Sequence, residues 1–381
     1  MLKVLLLCNN AFVKGNGLSA AVRNVRQRLR ESGVDARIMS SPNPDPEGEQ
    51  PDFPLDHLYI PLFERVIRTN GFRYAKFQIR RMKKAIAWAD VIHLEECMEL
   101  EIIAVRLARK MGKPCVASFH LFPQNIAANL GLPQHNPLNP LLMHRWVRRV
   151  VNHCSDVHCP TQMVKTYLER YGATARLHVI SNGTEIPERP EPLPPLPDNG
   201  RYSVLCVGRY ANDKAQTVLF EALRYSRYAD KIDLHFAGKG PKEQKLRRLA
   251  AKLRAQGILS REATFGFYNA QELKRLAQEA YLYVHCAWIE VEGLSCLDAL
   301  RDGVVPVIGD NEWVGTTQFS LCPESLYPQG DARALAARID WWIEHPGEHA
   351  RMRERYSESA ALYEIGAMTA RLIEMYHEAL G

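Results

Sequence analysis

Short apolar runs, each closed by a polar or glycine-containing turn, recur along the chain. They alternate with stretches whose apolar positions return every three or four residues. The runs read as buried strands and the stretches as amphipathic helices. Residues 4–7 predict a first strand, and residues 18–31 the helix after it. Further strands are expected at 36–39, 91–94, 115–119, 157–159 and 178–180, with a helix over about 100–111. The rhythm restarts with strands at 204–207, 234–237, 264–265, 281–285 and 305–308. Residues 352–380 read as helix. This alternation predicts an α/β protein with parallel, doubly wound sheets, which bind ligands at the carboxyl ends of their strands.

Between the two series lies Ile186-Pro-Glu-Arg-Pro-Glu-Pro-Leu-Pro-Pro-Leu-Pro197. So many prolines fit neither a strand ladder nor a helix interior, so the segment predicts an extended linker. The expected organisation is a first domain over 1–185, a linker over 186–200 and a second domain over 201–355. A terminal helix over 356–381 is expected to cross back to the first domain. Two similar α/β domains then face a cleft.

Composition adds that 46% of residues are apolar, enough for a core in each domain. The nine cysteines include no CxxC pair, and their apolar neighbours predict reduced, buried thiols of a cytoplasmic protein. The opening run is too short for a signal peptide and is ended by Asn9-Asn10. No run approaches the ~20 apolar residues of a spanning helix. Charge is uneven: residues 1–185 carry 25 Lys and Arg against 16 Asp and Glu, whereas residues 186–381 carry 24 against 27. A basic first half predicts an anionic partner.

The tract Glu290-Val-Glu-Gly-Leu-Ser-Cys-Leu-Asp298 carries the most chemistry. It joins a strand to a helix, with a carboxylate at the turn and a second one turn into the helix. Amides at Gly293, Leu294 and Ser295 open that helix and suit an anion. Carboxylates beside them suit hydroxyls, as a nucleotide-sugar pocket requires. Gly208-Arg209-Tyr-Ala-Asn-Asp-Lys214 follows another strand, where a forked guanidinium and a mobile ammonium can converge on one diphosphate. Gly238-Lys-Gly-Pro241 permits close backbone approach. Phe265-Gly-Phe-Tyr268 places groups where a flat base can lie. In the first half, Lys14-Gly15-Asn-Gly17-Leu-Ser19 follows the first strand and suits a sugar phosphate facing a helix N-terminus. It lacks both GxGxxG and the Walker lysine–serine pair.

His120 ends a strand and suits a sugar hydroxyl or a proton shuttle. His153-Cys-Ser-Asp-Val-His158-Cys159 has the composition of a zinc site. Strand alternation sends His158 and Cys159 to opposite faces, so no metal site is expected, and no DxD motif is present. The segment 64–84 holds eight basic residues against Glu64, interleaved with Val66, Ile67, Phe72, Phe77, Ile79 and Met82. The helix over 143–151 adds Arg145, Trp146, Arg148 and Arg149. Such a mixture suits an anionic bilayer surface, or else a solvated amphipathic helix. No nucleic-acid motif accompanies the charge.

Taken in order, these residues resemble glycosyltransferase family 4, the retaining enzymes of the GT-B fold. The glutamate–seven residues–glutamate tract is matched by Glu290 to Asp298, and Gly-Arg-x4-Lys by Gly208, Arg209 and Lys214. The hinge strand is matched by Val179-Ile-Ser-Asn182-Gly183, and Gly-x-Gly-Pro by Gly238 to Pro241. The stretches 119–125, 157–161, 290–296 and 317–319 look like the diacylglycerol glucosyltransferase branch. The resemblance implies that Arg209 and Lys214 hold the donor diphosphate and that the 293–295 amides support its distal phosphate. It implies that Glu290 contacts the donor hexose, Asp298 the ribose and the residues around Tyr268 the base. It further implies metal-independent transfer from a UDP-sugar, UDP-glucose in this branch, to a lipid or glycolipid at the inner face of the cell membrane. The donor is a substrate, so no separate cofactor is expected. Asp298 in place of Glu, Ala215 in place of Gly, and the acids of His93-Leu-Glu95-Glu96 depart from the pattern. Alternatives are a soluble or polysaccharide acceptor, an epimerase and a non-catalytic nucleotide-sugar-binding protein.

Overall fold

A computed structural model describes residues 1–13, 17–69, 71–133, 135–187 and 192–381. Gly15 of the expected phosphate loop and part of the proline-rich linker lie outside the described residues. The chain divides into two units, Met1–Asn182 with Gly366–Gly381, and Gly183–Ile365.

The first unit holds seven strands: β1 (Lys3–Asn10), β2 (Asp35–Ser41), β3 (Phe53–Pro54), β4 (Val91–Leu94), β5 (Cys115–Ser118), β6 (Asp156–Cys159) and β7 (Arg176–Val179). Their order is β3-β2-β1-β4-β5-β6-β7, and every pairing is parallel. Val4 to Cys8 of β1 are wholly buried, as a strand covered on both faces must be. Strand order reverses between β1 and β4, so the loops leaving these two strands flank the crevice where such sheets take ligands.

The second unit holds β8 (Tyr202–Val207), β9 (Ile232–Ala237), β10 (Thr264–Gly266), β11 (Leu282–His285), β12 (Val305–Asp310) and β13 (Leu326–Pro328). The order is β10-β9-β8-β11-β12-β13, again parallel throughout. Its switch point lies between β8 and β11. These strands feed the Arg209–Lys214 loop and the Glu290 tract respectively.

Three expectations need correction. The closing segment is not one helix. Helix Pro346–Ala360 ends in a 3-10 turn, Ala361–Tyr363, and helix Ile365–Leu380 follows. The break arises because Glu364 is extended and bridges Thr184: Thr184 N donates to Tyr363 O at 2.9 Å and Ile365 N to Thr184 O at 3.0 Å. The returning element is therefore Gly366–Gly381, not 356–381, and the first boundary falls at Asn182 rather than 185. Leu372, Met375 and Tyr376 join Val4, Leu6 and Val116 in one core. The alternative of a single amphipathic helix over 64–84 does not hold. It folds as helix Glu64–Thr69, a connecting stretch and the start of helix Ile79–Trp88. His57 is bridged to Ala75, which pulls that connection away from helical geometry.

Candidate functional site

In the second unit the site residues are held by backbone contacts among the loops at the switch point. Gly208 N donates to Ala237 O at 2.9 Å, Tyr210 N to Lys239 O at 3.1 Å, and Lys242 N to Tyr210 O at 3.0 Å. A Cβ on Gly238 would lie 2.0 Å from Gly208 O, and one on Gly240 2.5 Å from Tyr210 O. The space left by these glycines is thus taken by the neighbouring loop. The loop after β8 then makes a short 3-10 turn, Asn212–Lys214, clamped to the loop after β11. Trp288 N donates to Asp213 O at 3.1 Å, and its indole Nε1 to Asn212 O at 3.2 Å.

This clamp brings together Lys214 and Glu290, 76 positions apart in sequence, as an ion pair. Each side chain is about one-fifth exposed. Glu290 is fixed through its backbone: its N–H donates to Trp313 O at 2.9 Å, and its carbonyl accepts from Gly315 N at 2.8 Å. Burial acts against the Lys214 ammonium, but Glu290 and Asp213 more than offset it and raise its pKa. Burial likewise opposes the Glu290 carboxylate, and Lys214 with His285 holds it below the usual range. Both groups are charged at neutral pH. Arg209 reaches the Asp213 carboxylate at 3.3 and 3.4 Å and accepts, through its carbonyl, from Gln216 Nε2 at 2.9 Å.

His285 backs this pair, with Nε2 3.7 Å from Glu290 Oε2. Burial pushes its pKa down to about 4, so the ring is neutral and presents no competing charge. Thr316 Oγ1 lies 3.3 Å from the same Nε2, and the Tyr283 hydroxyl 3.4 Å from Nδ1. Tyr283 OH also meets Ser295 Oγ at 2.9 Å, which anchors the first turn of helix Leu294–Arg301. That helix starts at Gly293, in the left-handed region at φ 91 and without a side-chain cap. The first N–H groups of a helix have no partner within it, so those of Leu294 and Ser295 can receive an anion. A Cβ on Gly293 would lie 2.3 Å from Thr316 Oγ1.

Asp298, one turn on, accepts from Thr184 Oγ1 at 2.6 Å and Arg301 Nη1 at 3.2 Å. Both contacts engage Oδ1. Tyr268 folds over Gly266 and packs against the core of the unit. Next to it Phe267 is exposed, with Lys239 Nζ 4.3 Å from its ring.

In the first unit Gly17 opens helix Gly17–Glu31 on the surface. Ser19, two residues on, is buried and pinned to Asn10 by two hydrogen bonds of 2.7 and 3.0 Å. His120 follows β5, its side chain 7% exposed, with Nε2 3.2 Å from Glu95 Oε2. His158 has both ring nitrogens engaged, by Ser118 and Ile180, which leaves no lone pair for a metal. The group Asp156, His178 and Glu378 has the spacing of a metal site, but both Asp156 oxygens already accept from Arg176, at 2.8 and 3.0 Å.

Sequence reasoning names the Arg209, Lys214, Glu290 and Gly293 elements but not His285, Thr316, Thr184 or Arg301. His285 sits inside a predicted strand, Thr316 and Thr184 are remote in sequence from the groups they touch, and Arg301 lies one helical turn from Asp298. The acids at 95 and 96, seen only as a departure, are buried at the switch point of the first sheet.

Known proteins share this architecture. The sequence profile of Glycosyltransferase Family 4 matches residues 15–186, and that of Glycosyl transferases group 1 matches residues 192–361. The alpha-monoglucosyldiacylglycerol synthase of Streptococcus pneumoniae is 22% identical over all of this chain and 86% of its own length. Anabaena HepE, solved with UDP and glucose, superposes with a TM-score of 0.72 at 16% identity, over 99% of this chain and all of that one. Sucrose-phosphate synthase of Thermosynechococcus elongatus gives 0.72 at 16% identity, over 99% of each chain. With two parallel doubly wound units and both profiles matched in order, the chain belongs to glycosyltransferase family 4 and has the GT-B fold.

Proposed function

We propose that this glycosyltransferase moves glucose from UDP-glucose to a diacylglycerol-like lipid or glycolipid, with retention and without a metal ion, at an anionic membrane surface. The observation that carries the donor half is the convergence of Arg209, the Lys214–Glu290 pair and the helix opening at Gly293 on one sheet switch point. In this reading Lys214 and Arg209 meet the diphosphate, and the Leu294 and Ser295 amides meet the distal phosphate. Glu290 accepts from a hexose hydroxyl, Asp298 from the ribose through Oδ2, and Tyr268 with Gly238 flanks the base. In the first unit His120 takes a sugar hydroxyl, and Gly17, at the opening of its helix, suits a sugar phosphate. Fixed cations and amides stabilise charge on the leaving diphosphate, which in turn draws the proton from the acceptor hydroxyl.

The acceptor half is supported by the Streptococcus synthase, whose name states a glucosyldiacylglycerol product. It is also supported by the surface of the first unit. Leu62 is 89% exposed and Leu141 66%, and Tyr59, Phe63, Phe77 and Leu138 are exposed too. Arg65, Arg68, Arg80, Lys83, Lys84 and Arg148 interleave with them. Apolar and basic groups mixed in this way suit an anionic bilayer. Among the described residues no helix is long and apolar enough to cross a membrane.

The test is UDP release from UDP-glucose, with and without diacylglycerol in anionic vesicles. Release that requires the lipid supports both halves. Release that ignores lipid but follows a soluble sugar acceptor removes the acceptor half, and UDP binding without any release removes the catalytic reading.

A further inference from the structure

Three imidazoles gather at the carboxyl end of the first sheet: His93 on β4, His158 on β6 and His120 just past β5. Two have every proton committed. His158 Nε2 lies 2.6 Å from Ile180 O, which can only accept, so the proton is on Nε2. Burial, with His120 and His93 close by, pushes the His158 pKa down to about 3. The ring is neutral and its Nδ1 is a bare acceptor. Ser118 Oγ, 2.8 Å away, therefore donates its proton there and accepts from His93 Nε2 at 2.7 Å. His93 is also held below its ordinary range by burial, and its Nδ1 accepts from the Tyr376 hydroxyl at 2.7 Å. The chain runs one way, from Tyr376 through His93, Ser118 and His158 to Ile180.

Glu95 lies beside this chain, wholly buried, and neither of its oxygens has an in-line hydrogen bond. Its Oε1 is 3.6 Å from His93 Nδ1, which by the argument above carries no proton to give. Burial pushes the Glu95 carboxyl up, but His120, whose Nε2 faces it at 3.2 Å, helps bring it below its usual range. An ionised, buried carboxylate without hydrogen bonds is costly and needs a partner. Among the described residues that partner is His120, whose Nε2 stands 3.2 Å from Glu95 Oε2 and also lacks an in-line bond. The adjacent Glu96 is turned elsewhere: its Oε2 accepts from Asn9 N and Nδ2 at 2.7 and 2.9 Å.

We propose that Glu95 is a positioning residue that fixes the proton of His120 on Nε2, so that Nδ1 is presented as an acceptor to a hydroxyl of the bound sugar donor or of the acceptor. This deepens the transferase reading and rests on it. The logic is that of a buried carboxylate setting the tautomer of a catalytic histidine. The groups facing the pair are His93 from β4, Ser118 from β5, His158 from β6, Tyr376 from helix Ile365–Leu380, and Glu96 beside it. Of these, only Glu96 adds a second carboxyl close to Glu95.

The experiment compares full-length wild type, Glu95→Gln and Glu95→Asp by three readouts. These are ring 15N shifts of His120 (assigned by its loss in His120→Gln), UDP-glucose binding, and UDP release against pH with diacylglycerol vesicles. Glu95→Gln can donate its amide to Nε2, so the His120 tautomer should reverse or mix. Turnover should fall about 100-fold or more, while UDP alone, titrated beside UDP-glucose, should bind as it does to wild type. Glu95→Asp should keep the wild-type tautomer and recover part of the rate. A rise in KM for UDP-glucose assigns the hydroxyl to the donor, and a rise for the lipid alone assigns it to the acceptor. An Nδ1–H tautomer in wild type, or Glu95→Gln with unaltered tautomer and rate, overturns the proposal. Wild type without UDP release removes the transferase reading instead, and the 15N comparison still decides the role of Glu95.

Discussion

The Tyr376 hydroxyl donates to Nδ1 of His93 across 2.7 Å and 283 positions of sequence. The two rings also meet edge to face, with centroids 5.5 Å apart. The contact fixes the returning C-terminal helix to β4 in the first unit and starts the proton-ordered chain that ends at Ile180. Tyr376→Phe keeps the ring and removes the donor, leaving a buried acceptor unmet. The expected loss is about 1–3 kcal/mol of unfolding free energy, read by urea denaturation of the full chain. Unchanged stability would mean that the chain of bonds can reverse direction at no cost.

Arg209→Ala and Lys214→Ala test the donor site. On the proposed reading each removes a cation that meets the donor diphosphate, and each should lower turnover about 100-fold or more. Lys214→Ala also strands Glu290, one-fifth exposed, and should cost stability of about 1–3 kcal/mol. Because the Glu290 pKa is lowered, its share of the pair is present above the ordinary carboxylate value and lost as pH falls through the depressed one. Because the Lys214 pKa is raised, its share is present below the ordinary lysine value and lost only as pH rises through the elevated one. The pair is therefore intact throughout the neutral range. Near-normal kcat/KM in both variants would remove these residues from the site.

Acid should weaken the fold well before the carboxylates titrate. His158 is pushed down to about 3, and His285 and His349 to about 4, by burial in each case. A histidine whose folded pKa is depressed contributes fully above its unfolded value and loses that contribution as pH falls below it, at up to about 1.4 kcal/mol per pH unit for each group. Glu96 works in the opposite sense: burial raises it to about 7, so its contribution is full at low pH and lost as pH rises. Urea midpoints should fall between pH 6.5 and 4.5. Glu96→Gln, which keeps an oxygen for Asn9, should steepen that fall and raise stability above pH 7. A flat profile in wild type would mean that the three histidines open to solvent.

Gly293 is glycine for two separable reasons. Its φ of 91 is one that side-chain-bearing residues rarely take, and a Cβ there would strike Thr316 Oγ1 at 2.3 Å. Gly293→Ala should lose about 1–2 kcal/mol from the backbone alone, with the collision added. Thr316→Ala in the same chain should return only the collision part. A double variant as stable as wild type would show that the dihedral is free to relax.

How far the sequence reaches is clear from which partners are local. β8 and β11 and the loops that leave them are legible because an apolar run followed by a glycine or acidic turn is a short-range signal. The elements holding Asp298 are not: Thr184 lies 114 positions away, and its pairing depends on the extended bridge with Glu364. The same bridge ends the helix predicted across 352–380, where the one glycine, Gly366, lies past the break and inside the next helix. The acids 95 and 96 read as an anomaly in sequence, because only the parallel register places Ser118 and His158 beside them.

Ala215 is the one non-glycine at positive φ among the described residues, at φ 46 and ψ 30. It closes the 3-10 turn that carries Lys214, with its N–H donating to Asn212 O at 3.3 Å. Glycine takes this conformation without strain. An alanine Cβ in the left-handed region costs about 1–2 kcal/mol, whereas glycine costs about 0.5–1 kcal/mol in unfolded-chain entropy. Ala215→Gly should therefore be neutral to about 1 kcal/mol stabilising. Because the turn is clamped by Trp288 on its other side, Lys214 should stay in place and donor affinity should not change. Calorimetric unfolding alongside UDP titration separates the two effects. Lower stability with weaker UDP binding would mean that the alanine, rather than the Trp288 clamp, orders the lysine.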